Sequence, residues 1–199
     1  MPQRFLRNST VKVAELLQRA ISELASIRKS VLPVEIILVS LIDQKDSIAL
    51  KIFDELELET QELRRKIIDK LMESVSMIPD LQFGAPIALK LSKEVQILFD
   101  RSDIERKKLG DTYISTGALF LAFFEDTLST KKILNQFNLT YENCVQAIKT
   151  IRGSSHIVEK DSESRATFLD QYTIDITALA RKGELDPVVG REKEINRTI

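Results

Sequence analysis

Cys144 and His156 are the only cysteine and the only histidine among 199 residues, and they set the limits on catalysis. A zinc site or a Cys-x-x-Cys redox pair needs at least two such ligands close together, so no metal site is expected. Cys144 falls on an apolar stripe with Ile148 and Ile151, where a thiol serves as a small buried hydrophobe. His156 lies in a polar stretch, without the partners that nucleophilic catalysis requires. The chain contains neither a G-x-x-x-x-G-K-[ST] phosphate loop nor a G-x-G-x-x-G turn, so no nucleotide hydrolysis is assigned to these residues. A single thiol also excludes an intrachain disulfide, which fits a cytoplasmic, reducing compartment.

The acidic pairs Asp54-Glu55, Glu57/Glu59 and Glu125-Asp126 read as solvated surface at helix ends. Asp111 differs, because Gly110-Asp111-Thr112-Tyr113 is a turn sequence. Its carboxylate can cap that turn or meet a ligand, and both readings stay open. The run Arg106-Lys107-Lys108 reads as a favourable cationic end to a helix.

Composition narrows the partners. Basic and acidic residues number 29 and 30, and residues 1–150 hold 21 of each, so the excess that phosphate-backbone binding needs is missing. The longest apolar run, Ala118 to Phe124, has seven residues, against roughly 18 to 20 for a bilayer span. The start, Met1-Pro2-Gln3-Arg4-Phe5, has no apolar signal region. No nucleic acid and no membrane are therefore expected as partners. Only 6 Gly and 5 Pro interrupt the chain, which favours long helices and an all-α fold.

The elements that position these residues occur twice. A shift of 82 places Val13, Leu16, Leu17 on Val95, Leu98, Phe99, and Ile37 to Ile42 on Leu119 to Phe124. With one residue deleted, a shift of 81 matches Ile52-Phe53 to Ile133-Leu134 and Ile67 to Ile148. This period is too long for a solenoid and predicts two tandem helical units related by a pseudo-twofold axis, repeat one over 1–75 and repeat two over 90–150. Within them Val13, Leu16, Leu17, Ala20, Leu24 and Ile27 form a helical stripe, as do Leu63, Ile67, Leu71 and Val75. Thr60, Ser92, Ser115, Ser129 and Thr140 are expected helix caps, and Pro33 an expected helix start. Val34 to Ile42 is β-branched enough for a strand but is expected as a helix, like its repeat partner. The junction Ser76 to Pro86 holds two prolines and a glycine and either seals the two units or borders a groove for apolar peptide. Residues 151–165 read as a polar interdomain linker. After it, 166–199 carry short helical patterns, one ended by Gly183, and the chain is expected to stop within a further domain.

Taken together, these features resemble the amino-terminal region of the Clp ATPase family. The resemblance rests on Glu35 followed by Ile37 to Ile42 in repeat one, and on Gly110-Asp111-Thr112-Tyr113-Ile114-Ser115-Thr116 in repeat two. It is strongest in Asp170 to Thr177 and Gly183-Glu184-Leu185-Asp186-Pro187-Val188-Val189-Gly190-Arg191-Glu192, which look like the entrance to a first AAA+ ATPase module. Ile151-Arg152-Gly153, Tyr172-Thr173-Ile174-Asp175 and Arg197-Thr198-Ile199 are most similar to the ClpB disaggregase branch.

The resemblance implies a non-enzymatic, substrate-recruiting domain that binds exposed apolar segments of unfolded or aggregated polypeptides. The alternative is adaptor docking for a protease-coupled ClpC- or ClpA-like relative. It implies substrate contacts at Asn8, Ser9, Thr10, Asp111 and Ile114, and an incomplete adenine-side set at Val188, Val189 and Gly190. It further implies that the parent protein uses ATP and Mg, forms a homo-hexamer and works with a cooperating chaperone system. The chain departs from the family pattern at Gly117, where relatives often carry Glu, and at Ile36, where they often carry His.

Overall fold

In the computed structural model, residues 2–45, 47–79, 90–153, 155–163, 180, 181 and 183 are described. Two compact units divide the chain, Met1–Thr167 and Phe168–Ile199. In the second, Ala180 and Arg181 are helical. Gly183 there adopts φ +72°, the left-handed conformation in which a helix commonly ends.

The first unit is built from helices. They are α1 (Pro2–Arg7), α2 (Val11–Ser26), α3 (Val34–Ile42), α4 (Ile48–Glu55) and α5 (Thr60–Ser76), then α6 (Lys93–Lys108), α7 (Thr116–Ala122), α8 (Thr130–Gln136) and α9 (Tyr141–Arg152). Two short strands, β1 (Val31–Leu32) and β2 (Lys90–Leu91), join them. Every residue of α3 and of α7 is buried, as expected for helices apolar all round. The β-branched α3 is therefore helical despite its strand propensity, because burial on all sides outweighs a preference of less than about 1 kcal/mol per residue. Amphipathic neighbours cover this pair: α2 buries Val13, Leu16, Leu17, Ala20 and Leu24, and α9 buries Cys144, Ala147 and Ile148. Phe53 meets Phe120 edge to face, ring centroids 5.1 Å apart, inside the shared core.

The 82-residue period reappears in the element boundaries. Helices α2 and α6 begin and end 82 residues apart, and α3 and α7, like α4 and α8, begin at that spacing. The backbone pairing repeats too. Strands β1 and β2 run parallel, with Leu32 opposite Leu91, and an isolated parallel bridge joins Ser9 to Ile114. Leu32 and Ile114 are 82 residues apart, as are Ser9 and Leu91, so the two pairings are one contact made twice with the units exchanged.

Ser92, Ser115 and Thr140 cap α6, α7 and α9 as expected, Thr140 within a capping box. Two expected caps differ. Thr60 is the first residue inside α5, behind Glu59, and makes no cap bond. Ser129 has helical dihedrals itself, and its hydroxyl donates to Glu35 Oε1 (3.0 Å) instead of capping α8. Pro33 occupies the position immediately before α3, in an extended conformation. Thr10 and Ser47 cap α2 and α4. The junction segment lies outside the described residues from 80 to 89.

The stretch read as a linker from 151 onward is instead part of the first unit. Helix α9 runs to Arg152, Ile157 is 8% exposed and joins the core, and Glu163 is 2% exposed. A polar composition concealed this, because the segment is held by hydrogen bonds and one apolar anchor, not by a periodic apolar face.

Candidate functional site

A groove of about 170 Å³ opens where the two repeats meet, its lining more apolar than polar. Its floor follows from an aromatic stack. Phe5 of α1 lies on Phe99 of α6, ring centroids 3.9 Å apart and planes within 17°, which fixes α1 against α6. Ser9 Oγ donates to the Phe5 carbonyl (2.7 Å) and so satisfies a backbone group at the end of that short helix. Leu91 of β2 and Ile114 complete the apolar lining, with Asn8 and Gln96 as neutral polar groups. Arg4, Asp100 and Asp103 supply charge around the lining. Asp103 is paired with Arg106 Nη2 (2.8 Å) and Lys107 Nζ (2.9 Å). Burial favours its neutral acid, but the hydrogen bonds from Lys107 and Arg106 outweigh this and hold it below the ordinary aspartate value.

Two of the five expected contact residues, Asn8 and Ile114, line this groove. Their backbones are joined, Ile114 N–H donating to the Asn8 carbonyl (2.7 Å) and Thr10 N–H to the Ile114 carbonyl (2.9 Å). The side chains of Ser9, Thr10 and Asp111 are buried and committed to the fold. Thr10 caps α2 and its hydroxyl meets Glu163. Asp111, 4% exposed, pairs with Arg152 Nη1 (2.8 Å) through Oδ2, and its Oδ1 accepts from Ile157 N–H (2.8 Å). Arg152 also donates to Ser115 Oγ (2.8 Å). Val188, Val189 and Gly190 lie outside the described residues.

Sequence reasoning missed Phe5, Leu91, Phe99 and Glu163. Leu91 and Phe99 read as ordinary apolar positions, and α1 is too short to show a period. Glu163 sits in a run of polar residues. It is nevertheless buried, its Oε1 accepting from the Thr116 backbone N–H (3.0 Å) and hydroxyl. Burial pushes its pKa up, opposed in part by hydrogen bonds from Thr10 and Thr116 and by the charge of Arg152.

Gly117 explains one departure from the family pattern. A Cβ there would stand 2.9 Å from Ile48 Cγ2, so α4 and α7 pack too closely at this point for a side chain. Burial raises the Cys144 thiol to about 12, which leaves it protonated and unreactive near neutrality. Among the described residues no group of three His, Cys, Asp or Glu could hold a metal ion. No helix among them is long and apolar enough to cross a membrane.

The sequence pattern of the family described as Clp repeat (R) N-terminal domain matches residues 8–137. The chain belongs to the Clp N-terminal domain family. It is 34% identical over 170 residues to chaperone protein ClpB 1 of Synechocystis, covering 84% of this chain and 18% of that protein. It is 30% identical over 172 residues to the chloroplastic chaperone ClpB3 of Arabidopsis thaliana, covering 86% of this chain and 17% of that protein. The chain thus spans about a fifth of the length of these curated relatives. Its fold resembles the Hsp104 N-terminal domain of Candida albicans, with TM-score 0.63, 17% identity and coverage of 78% and 99% of the two chains. It also resembles a ClpV N-domain solved in complex with a VipB peptide, with TM-score 0.60, 18% identity and coverage of 77% and 92%. Among the described residues this Clp N-domain agrees with the all-α expectation apart from two short strands.

Proposed function

We propose that this Clp N-domain recruits polypeptide for an ATP-driven disaggregase, taking exposed apolar segments of misfolded or aggregated proteins into the groove between its repeats. The observation that supports this most is the groove itself, in which Phe5, Leu91, Phe99 and Ile114 place apolar surface at the junction with few polar groups. A cavity of this size accommodates one or two side chains rather than a folded partner. Binding at one domain is accordingly weak, and several linked domains raise the effective concentration. The peptide complex of a ClpV N-domain supports polypeptide as the ligand class, and similarity to ClpB proteins favours disaggregation. In the parent protein, ATP and Mg would act beyond this unit, with the segment holding Val188, Val189 and Gly190 on the adenine side of the nucleotide. The parent would assemble as a homo-hexamer and cooperate with other chaperones.

The test is fluorescence anisotropy of a labelled, permanently unfolded protein titrated with the chain and with its Leu91→Asp variant. A charge placed in the apolar lining should weaken binding about tenfold or more. Equal affinities for two folded proteins would overturn the assignment.

A further inference from the structure

Beyond α9 the chain turns back across the start of α2 and the turn before α7. Ile157 anchors it in the core; its N–H donates to Asp111 Oδ1 (2.8 Å), and its carbonyl accepts from the Thr112 N–H (2.8 Å). Farther along, the Lys160 carbonyl accepts from the Val11 N–H (2.8 Å). The Lys160 ammonium stands 5.7 Å from the Tyr113 ring centroid. At Glu163 the carboxylate lies among the Thr10 hydroxyl, the Thr116 hydroxyl and the Thr116 N–H.

Each donor to that carboxylate is fixed by something other than Glu163. The Thr10 hydroxyl accepts from the Val13 N–H as the cap of α2. The Thr116 hydroxyl accepts from the Ile48 N–H (3.0 Å). Each of these hydroxyls therefore has its hydrogen available for another acceptor. Arg152, which adds positive potential, is held by Asp111 and Ser115. Oriented donors, a nearby cation and backbone hydrogen bonds at Val11 and Thr112 are the elements of a receptor for a peptide with an acidic side chain.

We propose that this face is an acceptor site for an acidic polypeptide segment that takes the same course, extended and then turning over its last residues, with an apolar residue followed six positions later by a carboxylate, and that residues 155–163 fill it in cis as a competitor. Thr10 and Ile114, whose backbones are bonded to each other, connect it with the groove. A polypeptide leaving the groove past Asn8 meets this receptor next, and an acidic residue on it displaces Glu163. The inference deepens the recruitment reading and rests on it for the identity of the ligand.

The experiment uses the full chain, its Glu163→Ala and Glu163→Gln variants, and a labelled peptide with the sequence of residues 155–165. Thermal unfolding verifies that each variant is folded. The alanine variant should bind the peptide at least about tenfold more tightly than the wild-type chain does. Replacing the peptide's own glutamate by alanine should cost about tenfold or more, the scale of a charged hydrogen-bond set. Hydrogen exchange at Val11 and Thr112 reports whether the segment is docked. Equal binding by wild type and variant, or unchanged protection of those amides in both variants, overturns the proposal. Binding of unfolded protein, and its loss in Leu91→Asp, is measured in parallel, so that failure of groove recruitment is distinguishable from failure of the acidic receptor.

Discussion

Glu163 Oε1 accepts a hydrogen bond from the Thr116 backbone N–H at 3.0 Å across 47 residues of sequence, which ties the segment after α9 to the start of α7. Because this carboxyl is buried, its pKa is raised in the folded chain. The docked state therefore binds the proton more tightly than the undocked one. Its contribution to stability is fully present below the unfolded value and is lost as pH rises through the folded one. Protection of the Val11 and Thr112 amides, corrected for intrinsic exchange, is expected to increase as pH falls from neutrality. Glu163→Gln should flatten that dependence.

Asp111 and Arg152 form an ion pair with side chains 0% and 8% exposed. Removing one partner leaves a charge uncompensated in a buried site and costs about 3–5 kcal/mol. Asp111→Ala should lower stability by about that amount in urea unfolding. The same variant removes the acceptor of the Ile157 N–H, so exchange at Ile157 is expected to rise even where the helices stay protected.

Close approach of α4 to α7 makes Gly117 a packing position. Alanine there gains helix propensity of about 1 kcal/mol but meets Ile48 Cγ2 at 2.9 Å, and overpacking of this kind costs about 1–3 kcal/mol. That branched methyl is on the first residue of α4 and cannot swing aside as a long chain would. Gly117→Ala is expected to be destabilising by thermal unfolding. Combined with Ile48→Ala, which removes the obstructing methyl, the glycine substitution should cost less than it does alone.

What was legible in the sequence followed from periodicity. The stripe from Val13 to Leu24, the all-apolar run from Ala118 to Phe124 and the 82-residue shift carry the helices and their duplication, because burial of a helical face leaves a repeating trace. The family resemblance rested on short motifs in both repeats and most strongly on residues 170–177 and 183–192. The site was only half legible. Asn8 and Ile114 line the groove, whereas Ser9, Thr10 and Asp111 turn inward, since polar residues at turns satisfy backbone groups before they meet ligands. Glu163 was hidden because a buried carboxylate is recognised by its partners, Thr10 and Thr116, which are distant in sequence.

The most direct measurement of the recruitment claim is a titration of the isotopically labelled chain with a permanently unfolded, apolar polypeptide, followed by amide chemical shifts. The account predicts that the perturbed resonances centre on Phe5, Asn8, Leu91, Gln96, Phe99 and Ile114 and that Leu91→Asp abolishes the response. Perturbations confined to α5 and α8, or a titration without any shift changes, would contradict it.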